Sequence, residues 1–450
     1  MSTDRAGQYN NFTVISTWLK RLMNAVRDLL PGETARKGIV TLADQTVVSA
    51  TNFLTGVIIG RACTKEEFGL YMLGFSIVLI VIDLQYSLIS SPFTVYSPHL
   101  KGNDHAKYSG STLIHQLSLS VLIILALAVT GFVFSLGIGP QGLATVVWTL
   151  FFVIMFIMLR DYARKFCFAN MRMKTALLLD SCVAVVQIGG LLLFAHLGLL
   201  SARNAYWVVG IACSLPALIF IIRSREQFII RIREVFSDFR KNWSLAKWLF
   251  ATTLIYMSSI QVYPWLLAEF HGISVTGELA ACMGVIFLAN PFLIGLGNFI
   301  GPKTAHTYAK GGVEKVQHIV TKSTLFLAMT MGLFSILMLF FGGHIVVLFY
   351  GSKYVGNGLV VGILALSQFS SAITIPVNNG LLAIERPDVR FKSYLLALVI
   401  TLTIGLWLVK SYGPIGVACG LLAGNVIAST FRYIVFKNQI RILSAREIRS

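Results

Sequence analysis

Apolar runs of about twenty residues recur along the chain with short polar gaps between them. An α-helix rises 1.5 Å per residue, so about 20 apolar residues cross a hydrocarbon core of ~30 Å. Windows of that length predict twelve helices, at 38–60, 70–92, 111–137, 143–163, 174–197, 205–222, 246–268, 277–301, 321–342, 356–383, 393–411 and 415–436. The pattern predicts an all-α polytopic membrane protein. It divides into an N-terminal segment (1–37), a first group of six helices (38–222), a polar linker (223–245), a second group of six (246–436) and a tail (437–450).

Two polar stretches carry a different period. In "FTVISTWLKRLMNAVRDLL" the residues Ile15, Trp18, Leu19, Leu22, Val26 and Leu29 recur at helical spacing, with Lys20, Arg21, Arg27 and Asp28 on other faces. The spacing predicts a helix lying in the membrane interface; a solvated helix with one apolar stripe fits as well. The linker, "RSREQFIIRIREVFSDFRKNWSLAKW" from Arg223, is the longest polar stretch inside the chain and reads as a second amphipathic segment.

Charge tests the count. With each Lys or Arg inside a predicted span assigned to its nearer end, 32 of the 37 fall at the N-terminus, the tail and every second gap, and 5 at the intervening gaps. A missed or invented helix would scramble that alternation downstream. The bias predicts twelve spans in a plasma or inner membrane with both termini cytoplasmic. The net charge of +18 would suit nucleic acid, but its confinement to gaps points to anionic lipid headgroups, and no nucleic-acid partner is expected. Composition agrees: 56% of residues are hydrophobic and 12% charged, with a mean hydropathy of +0.75. Residues 1–37 are polar, carry both signs of charge and do not read as a signal peptide. The six cysteines are scattered without metal-ligand spacing, so no metal site is expected.

The break at the midpoint prompts a search for two similar halves. A shift of 208 residues places Arg61 on Glu269 and Gly69 on Gly277, each pair in the short connection between the first two helices of its half. Six helices per half start both halves on the same side, which predicts parallel repeats about an axis along the membrane normal.

The opening "LADQTVVSATNFLTGVIIGRACTKEEFGLYMLGFSIVLIV" resembles the oligosaccharide flippases of the multidrug/oligosaccharidyl-lipid/polysaccharide (MATE-like) exporter superfamily. The shared pattern is a first helix ending in Gly60-Arg61, a short loop, then Glu67-Phe68-Gly69-Leu70-Tyr71. "SSPFTVYSPHLKG", from Ser90, is similar to that family's turn after the second span. The resemblance covers about residues 40–110. It implies two six-helix lobes around a central cavity. It also implies a polyprenyl-diphosphate oligosaccharide as cargo, moved between leaflets for polysaccharide synthesis, with a polymerase or glycosyltransferases as working partners. No enzymatic activity is implied: there is no Asp-x-Asp sugar-nucleotide motif and no sizeable outer loop.

Moving such a headgroup through hydrocarbon requires a wet, polar path, because each unpaired polar group costs several kcal/mol there. Candidate lining residues inside the predicted spans are Gln45, Asn52, Gln85 and Gln187 in the first half. In the second half they are Tyr256, Gln261, Asn290, Gln368, Asn378 and Asn379. Each could equally make an interhelical hydrogen bond that only holds the bundle together. Pro264, Pro291 and Pro376 interrupt spans of the second half and are candidate hinges, or static kinks.

Acidic residues inside spans cost roughly 2.5–3.5 kcal/mol each on insertion scales. Asp44, Asp83 and Asp180 are therefore candidates for H⁺ or Na⁺ coupling, with no other cofactor expected. Helices one and two are joined by a short loop, so Asp44 and Asp83 are expected to share a region. Alternatively, Asp44 pairs with Arg36 or Lys37. Lipid II flippases carry Arg within the cavity; here the basic residues gather instead at the inner mouth. Arg36, Lys37, Arg160, Arg164, Lys165 and Lys247 are candidates for collecting an anionic headgroup. A cation-coupled exporter of small amphipathic compounds on the same fold remains the alternative reading. A major facilitator carrier fits less well, because the Gly- and Arg-rich turn expected between spans two and three is missing.

Overall fold

A computed structural model describes residues 33–447, all helix and connection, with no strand among them. The interfacial helix expected near residues 12–30 lies outside the described residues. In chain order the helices are α1 (Glu33–Ala62), α2 (Lys65–Gln85), α3 (Gly102–Ser135), α4 (Leu143–Ala169), α5 (Met173–His196) and α6 (Ala202–Arg223). The second half holds α7 (Ile232–His271), α8 (Ile273–Ile286), α9 (Asn290–Tyr350), α10 (Gly358–Ala372), α11 (Ile375–Ala383), α12 (Asp388–Ile400) and α13 (Leu406–Glu447). A π-helical turn, Tyr86–Ser90, carries α2 on into the short helix Ser91–Tyr96.

Among the described residues nine helical stretches are long and apolar enough to cross a membrane. The chain is thus a multi-span membrane protein. Two of the nine, Ile273–Tyr350 and Asp388–Ser444, have 78 and 57 residues and far exceed one crossing. Each contains a glycine with positive φ that turns the chain inside the helical run: Gly312 (φ 67°) after Gly311, and Gly413 (φ 55°) before Pro414. The 40-residue α7 is not among the nine: its first half is charged, and Thr252, Thr253, Ser258, Ser259, Gln261 and Pro264 dilute the apolar residues of its second half.

Pro291 and Pro376 open α9 and α11 within their first two positions, each after a one-turn break, where the missing N–H is no loss. Pro264 instead lies inside the continuous α7. The α1–α2 turn is held by Thr64, whose hydroxyl accepts the Glu67 N–H at 3.2 Å, with Glu66 and Glu67 placed at the positive end of the helix dipole.

The first two helices make little contact with each other. The α1 helix runs along α5, and α2 lies against α4 and α8. The α2–α8 crossing is reciprocal. A Cβ at Gly69 would sit 2.0 Å from the Ile273 carbonyl oxygen, and one at Gly277 would sit 2.1 Å from that of Lys65. Residues 69 and 277, like 65 and 273, are 208 apart, so the weak sequence repeat corresponds to a contact that maps onto itself.

The apolar core is asymmetric along the helix axes. At the end carrying the 62–65 and 350–358 turns, both halves share one cluster that includes Ile59, Phe68, Leu279, Val285, Tyr350 and Tyr354. At the opposite end, where the 223–232 linker lies, the second half has its own cluster around Val316, Val377 and Phe436. The halves are welded at one end and separately packed at the other.

Candidate functional site

The motif Gly60-Arg61 and Glu67–Tyr71 forms the weld. Gly60 has no side chain, which lets the Tyr350 ring in: a Cβ there would lie 2.5 Å from Cδ1. Phe68 stacks on Tyr350 at 5.8 Å between centroids, and Tyr354 donates its hydroxyl to the Gly60 carbonyl at 3.1 Å. Arg61 Nε donates to the Phe349 carbonyl at 2.6 Å, and Nη2 donates to that of Leu348. The Lys65 ammonium meets Glu278 at 2.5 Å, and Lys353 donates to the Cys63 carbonyl. Glu67 accepts the Ala202 N–H at 2.6 Å, and Tyr206 donates to the Tyr71 carbonyl at 2.6 Å. Four short stretches of chain therefore converge on one closed seam.

Toward the linker end of the first half, α1, α4 and α5 bring charged side chains together. Arg164 donates from Nε to Asp180 Oδ2 at 2.6 Å, from Nη2 to Asp44 Oδ2 at 2.7 Å, and also to Gln45 Oε1 at 3.3 Å. Arg160 Nη2 lies 2.5 Å from Asp180 Oδ1. Asp44 and Asp180 are buried, at 0% and 1% exposure. Asp44 Oδ1 has no hydrogen-bond partner. Arg160, Arg164 and Asp180 face a cavity of about 220 Å³, lined also by Thr51, Asn52, Asp161 and Gln187. Gln187 donates to Thr55 Oγ1 at 2.8 Å. Asp161, which sequence reasoning missed, is buried and lies 3.4 Å from Gln85 Nε2. Gln85 also donates to the Met158 carbonyl at 3.1 Å and accepts from Gln116 at 3.3 Å.

Asp83 is not part of this cluster. Asp44 is taken by Arg164, not by Arg36 or Lys37, while Asp83 lies on α2 within electrostatic reach of Lys165, Asp161 and Tyr256. Among the described residues no contact joins Asp44 to Asp83: α1 runs along α5 rather than beside α2, and Asp83 is linked to the cavity electrostatically through Asp161.

A second constellation straddles the halves at the linker end. From the first half, Lys165 lies 5.0 Å above the Tyr86 ring. From the second half, the Tyr256 and Tyr394 rings meet at 4.6 Å. Arg390 and Arg432 place their guanidiniums 5.5 and 4.9 Å from the Tyr394 ring centre. Arg390 Nε donates to the Tyr394 hydroxyl at 3.2 Å. Arg432 donates to Ser393 Oγ at 2.7 Å and to Asn378 Oδ1 at 3.3 Å. Among the described residues neither guanidinium has a carboxylate within ion-pair distance. Tyr86 and Tyr256 both act electrostatically on Arg390, which ties the two sides of the constellation together. Hydropathy had counted Arg390 and Arg432 as loop charges because they sit at span ends. Only the four-residue spacing of Arg390 and Tyr394 is legible in the sequence; Arg432 and Asn378 are 54 residues apart.

The six basic residues expected to act together at the inner mouth separate. Arg160 and Arg164 are committed to aspartates, and Lys165 turns to Tyr86. Lys247 lies over Trp248 at 5.9 Å, Arg36 is exposed and Lys37 is half-buried. Of the remaining polar candidates, Gln368 donates to Asn290 at 3.0 Å, Asn379 lies beside Gly301, and Gln261 is buried in α7.

No protein-family model matches this sequence, and no curated protein does. Solved structures match over most of its length. An inward-facing multidrug-resistance MATE family transporter of the MOP superfamily aligns with a TM-score of 0.73 at 14% identity, covering 91% of this chain and 99% of that one. Lipid II flippase MurJ in an inward closed conformation aligns with a TM-score of 0.73 at 17% identity, covering 89% and 87%. An outward-facing MATE family transporter aligns at 0.63 with 14% identity, covering 91% and 96%. The chain has the fold seen in MATE family transporters and in lipid II flippase MurJ.

Proposed function

We propose that the protein is an alternating-access transporter that carries an anionic, lipid-linked cargo of the polyprenyl-diphosphate oligosaccharide class across the cytoplasmic membrane. In this reading the two broken stretches each cross twice and α7 crosses once, giving twelve spans in two six-helix lobes with both termini inside. The positive-inside bias makes the linker end cytoplasmic, so the welded end is a closed outer gate. Greater likeness to the inward-facing than to the outward-facing MATE structure supports that state.

The observation that carries the cargo reading is the Lys165–Tyr86 and Tyr256–Tyr394–Arg390–Arg432 constellation. Two guanidiniums around one tyrosine, without a carboxylate, repel each other and leave several N–H donors for an incoming anion. Diphosphate oxygens suit them, since Arg forks bind phosphate with charge-assisted hydrogen bonds. Such bonds are worth about 1.5–3 kcal/mol each, or roughly ten- to a hundredfold in binding.

A second reading, cation-coupled export of small amphipathic compounds, draws on the first-half cluster. Asp44, Asp161 and Asp180 face two arginines, so one proton or monovalent cation would balance the excess charge if all are ionised. The unpartnered Asp44 Oδ1 is where it would bind.

Proteoliposomes separate the readings. The protein should translocate lipid-linked oligosaccharide, and Arg390→Gln with Arg432→Gln should reduce that at least about tenfold. Efflux of small cations driven by a proton or sodium gradient, with no lipid translocation and no effect of the arginine changes, would install the second reading.

A further inference from the structure

The linker end holds one more cavity, outside both constellations. It is a groove of about 540 Å³ between α3 and the first turns of α7, lined by Ile114, Leu122, Ile232, Phe236, Phe239 and Trp243. Its lining is almost wholly apolar, which suits an acyl chain rather than a sugar. Ile232, Phe236, Phe239 and Trp243 follow one another at spacings of four, three and four, a single helical stripe. Phe236 is 74% exposed, so the stripe is not closed off by protein.

The walls are fixed to one another. His115 Nε2 is 3.0 Å from the Val235 carbonyl, Tyr108 donates to Asn242 at 2.8 Å, and the Ile229 N–H donates to the Ala106 carbonyl at 3.0 Å. The groove is therefore preformed. Its rim is basic: residues 223–247 hold seven Lys and Arg against three acids, and exposed Arg233 and Arg240 flank the stripe.

We propose that this groove is a binding site for an anionic phospholipid of the inner leaflet, one acyl chain lying on Phe236, Phe239 and Trp243 and the phosphate among the linker arginines. An apolar trough under a cationic rim is what such a lipid offers surface for, and basic residues near the membrane surface attract anionic lipid. The site has a mechanical consequence. The start of α7 is stapled to α3 of the first half, whereas Ser259 and Tyr263 further along lie against Thr401, Gly405 and Gly420 of the second. A lipid seated here stiffens a helix that bridges both halves. The assignment does not depend on what is transported.

The test uses the full chain in nanodiscs with phosphatidylglycerol or phosphatidylcholine carrying a mid-chain diazirine, adducts being mapped by mass spectrometry. Adducts should concentrate on residues 114–122 and 230–246, and phosphatidylglycerol should exceed phosphatidylcholine by about fivefold or more. Arg233→Gln with Arg240→Gln should remove that preference, and Phe236→Asp should remove the adducts, with Cys167 still unreactive to show an intact fold. Equal yields from the two lipids, or adducts spread equally over exposed Leu325 and Phe340, would overturn the site. Displacement by a polyprenyl diphosphate but not by unlabelled phosphatidylglycerol would overturn the phospholipid in favour of a cargo tail.

Discussion

Replacing Arg164 by Gln tests the first-half cluster most directly. The guanidinium holds Asp44 at 2.7 Å and Asp180 at 2.6 Å, at sites with almost no solvent contact. Its loss leaves Asp180 with Arg160 but strips Asp44 of its only ion-pair partner among the described residues. Removing one member of a buried pair costs about 3–5 kcal/mol, mostly because the survivor stays charged and dry. With ~2.1 cal/mol/K of unfolding entropy per residue, a 450-residue chain unfolding as a unit should lose about 3–5 °C in Tm. Buried Cys63, Cys167, Cys213 and Cys282 supply the assay, since a thiol-reactive fluorophore reports their exposure on heating. Adding Asp44→Asn should then restore most of the loss, because the orphaned charge is gone, while Asp44→Asn alone should cost less than Arg164→Gln. Strictly additive losses in this double-mutant cycle, or a Tm unmoved by Arg164→Gln, would refute the pairing.

Three further outcomes follow from the geometry. Gly69→Ala and Gly277→Ala should destabilise by similar amounts, about 1–3 kcal/mol each, since each Cβ meets backbone across a reciprocal crossing; unequal effects in thermal unfolding would deny the symmetry. Lys65→Glu or Glu278→Lys should each loosen the welded end and raise labelling of a cysteine placed at Phe68, and the two together should reverse it; a double variant as reactive as the singles would discount the pair. Asp44→Asn should abolish any proton or sodium dependence of transport while Asp388→Asn, whose carboxylate meets only Arg386 and Lys392 near the surface, should not; equal loss in both, measured in proteoliposomes under imposed gradients, would remove the coupling role.

Hydropathy placed an apolar run in each of the nine long helical stretches among the described residues, because the energy of placing apolar residues in lipid is local and additive. It missed where helices run on past the apolar run, as α7 does by fourteen residues before Ala246, since a helix need not stop at the membrane surface. The 208-residue shift was legible because Gly69 and Gly277 answer the same local demand for backbone contact.

The site divides along the same line. Sequence alone determined that Asp44 and Asp180 needed partners, because burying a carboxylate is costly wherever the chain takes it. Only the tertiary structure decided that the partner of both is Arg164, 120 and 16 residues away, and that Asp83 belongs elsewhere. Only it could gather Tyr256, Arg390, Tyr394 and Arg432 from three helices. Pairing across helices depends on which faces meet, and lipid, being equally apolar on every side, leaves that choice to side-chain fit rather than to any period readable along the chain.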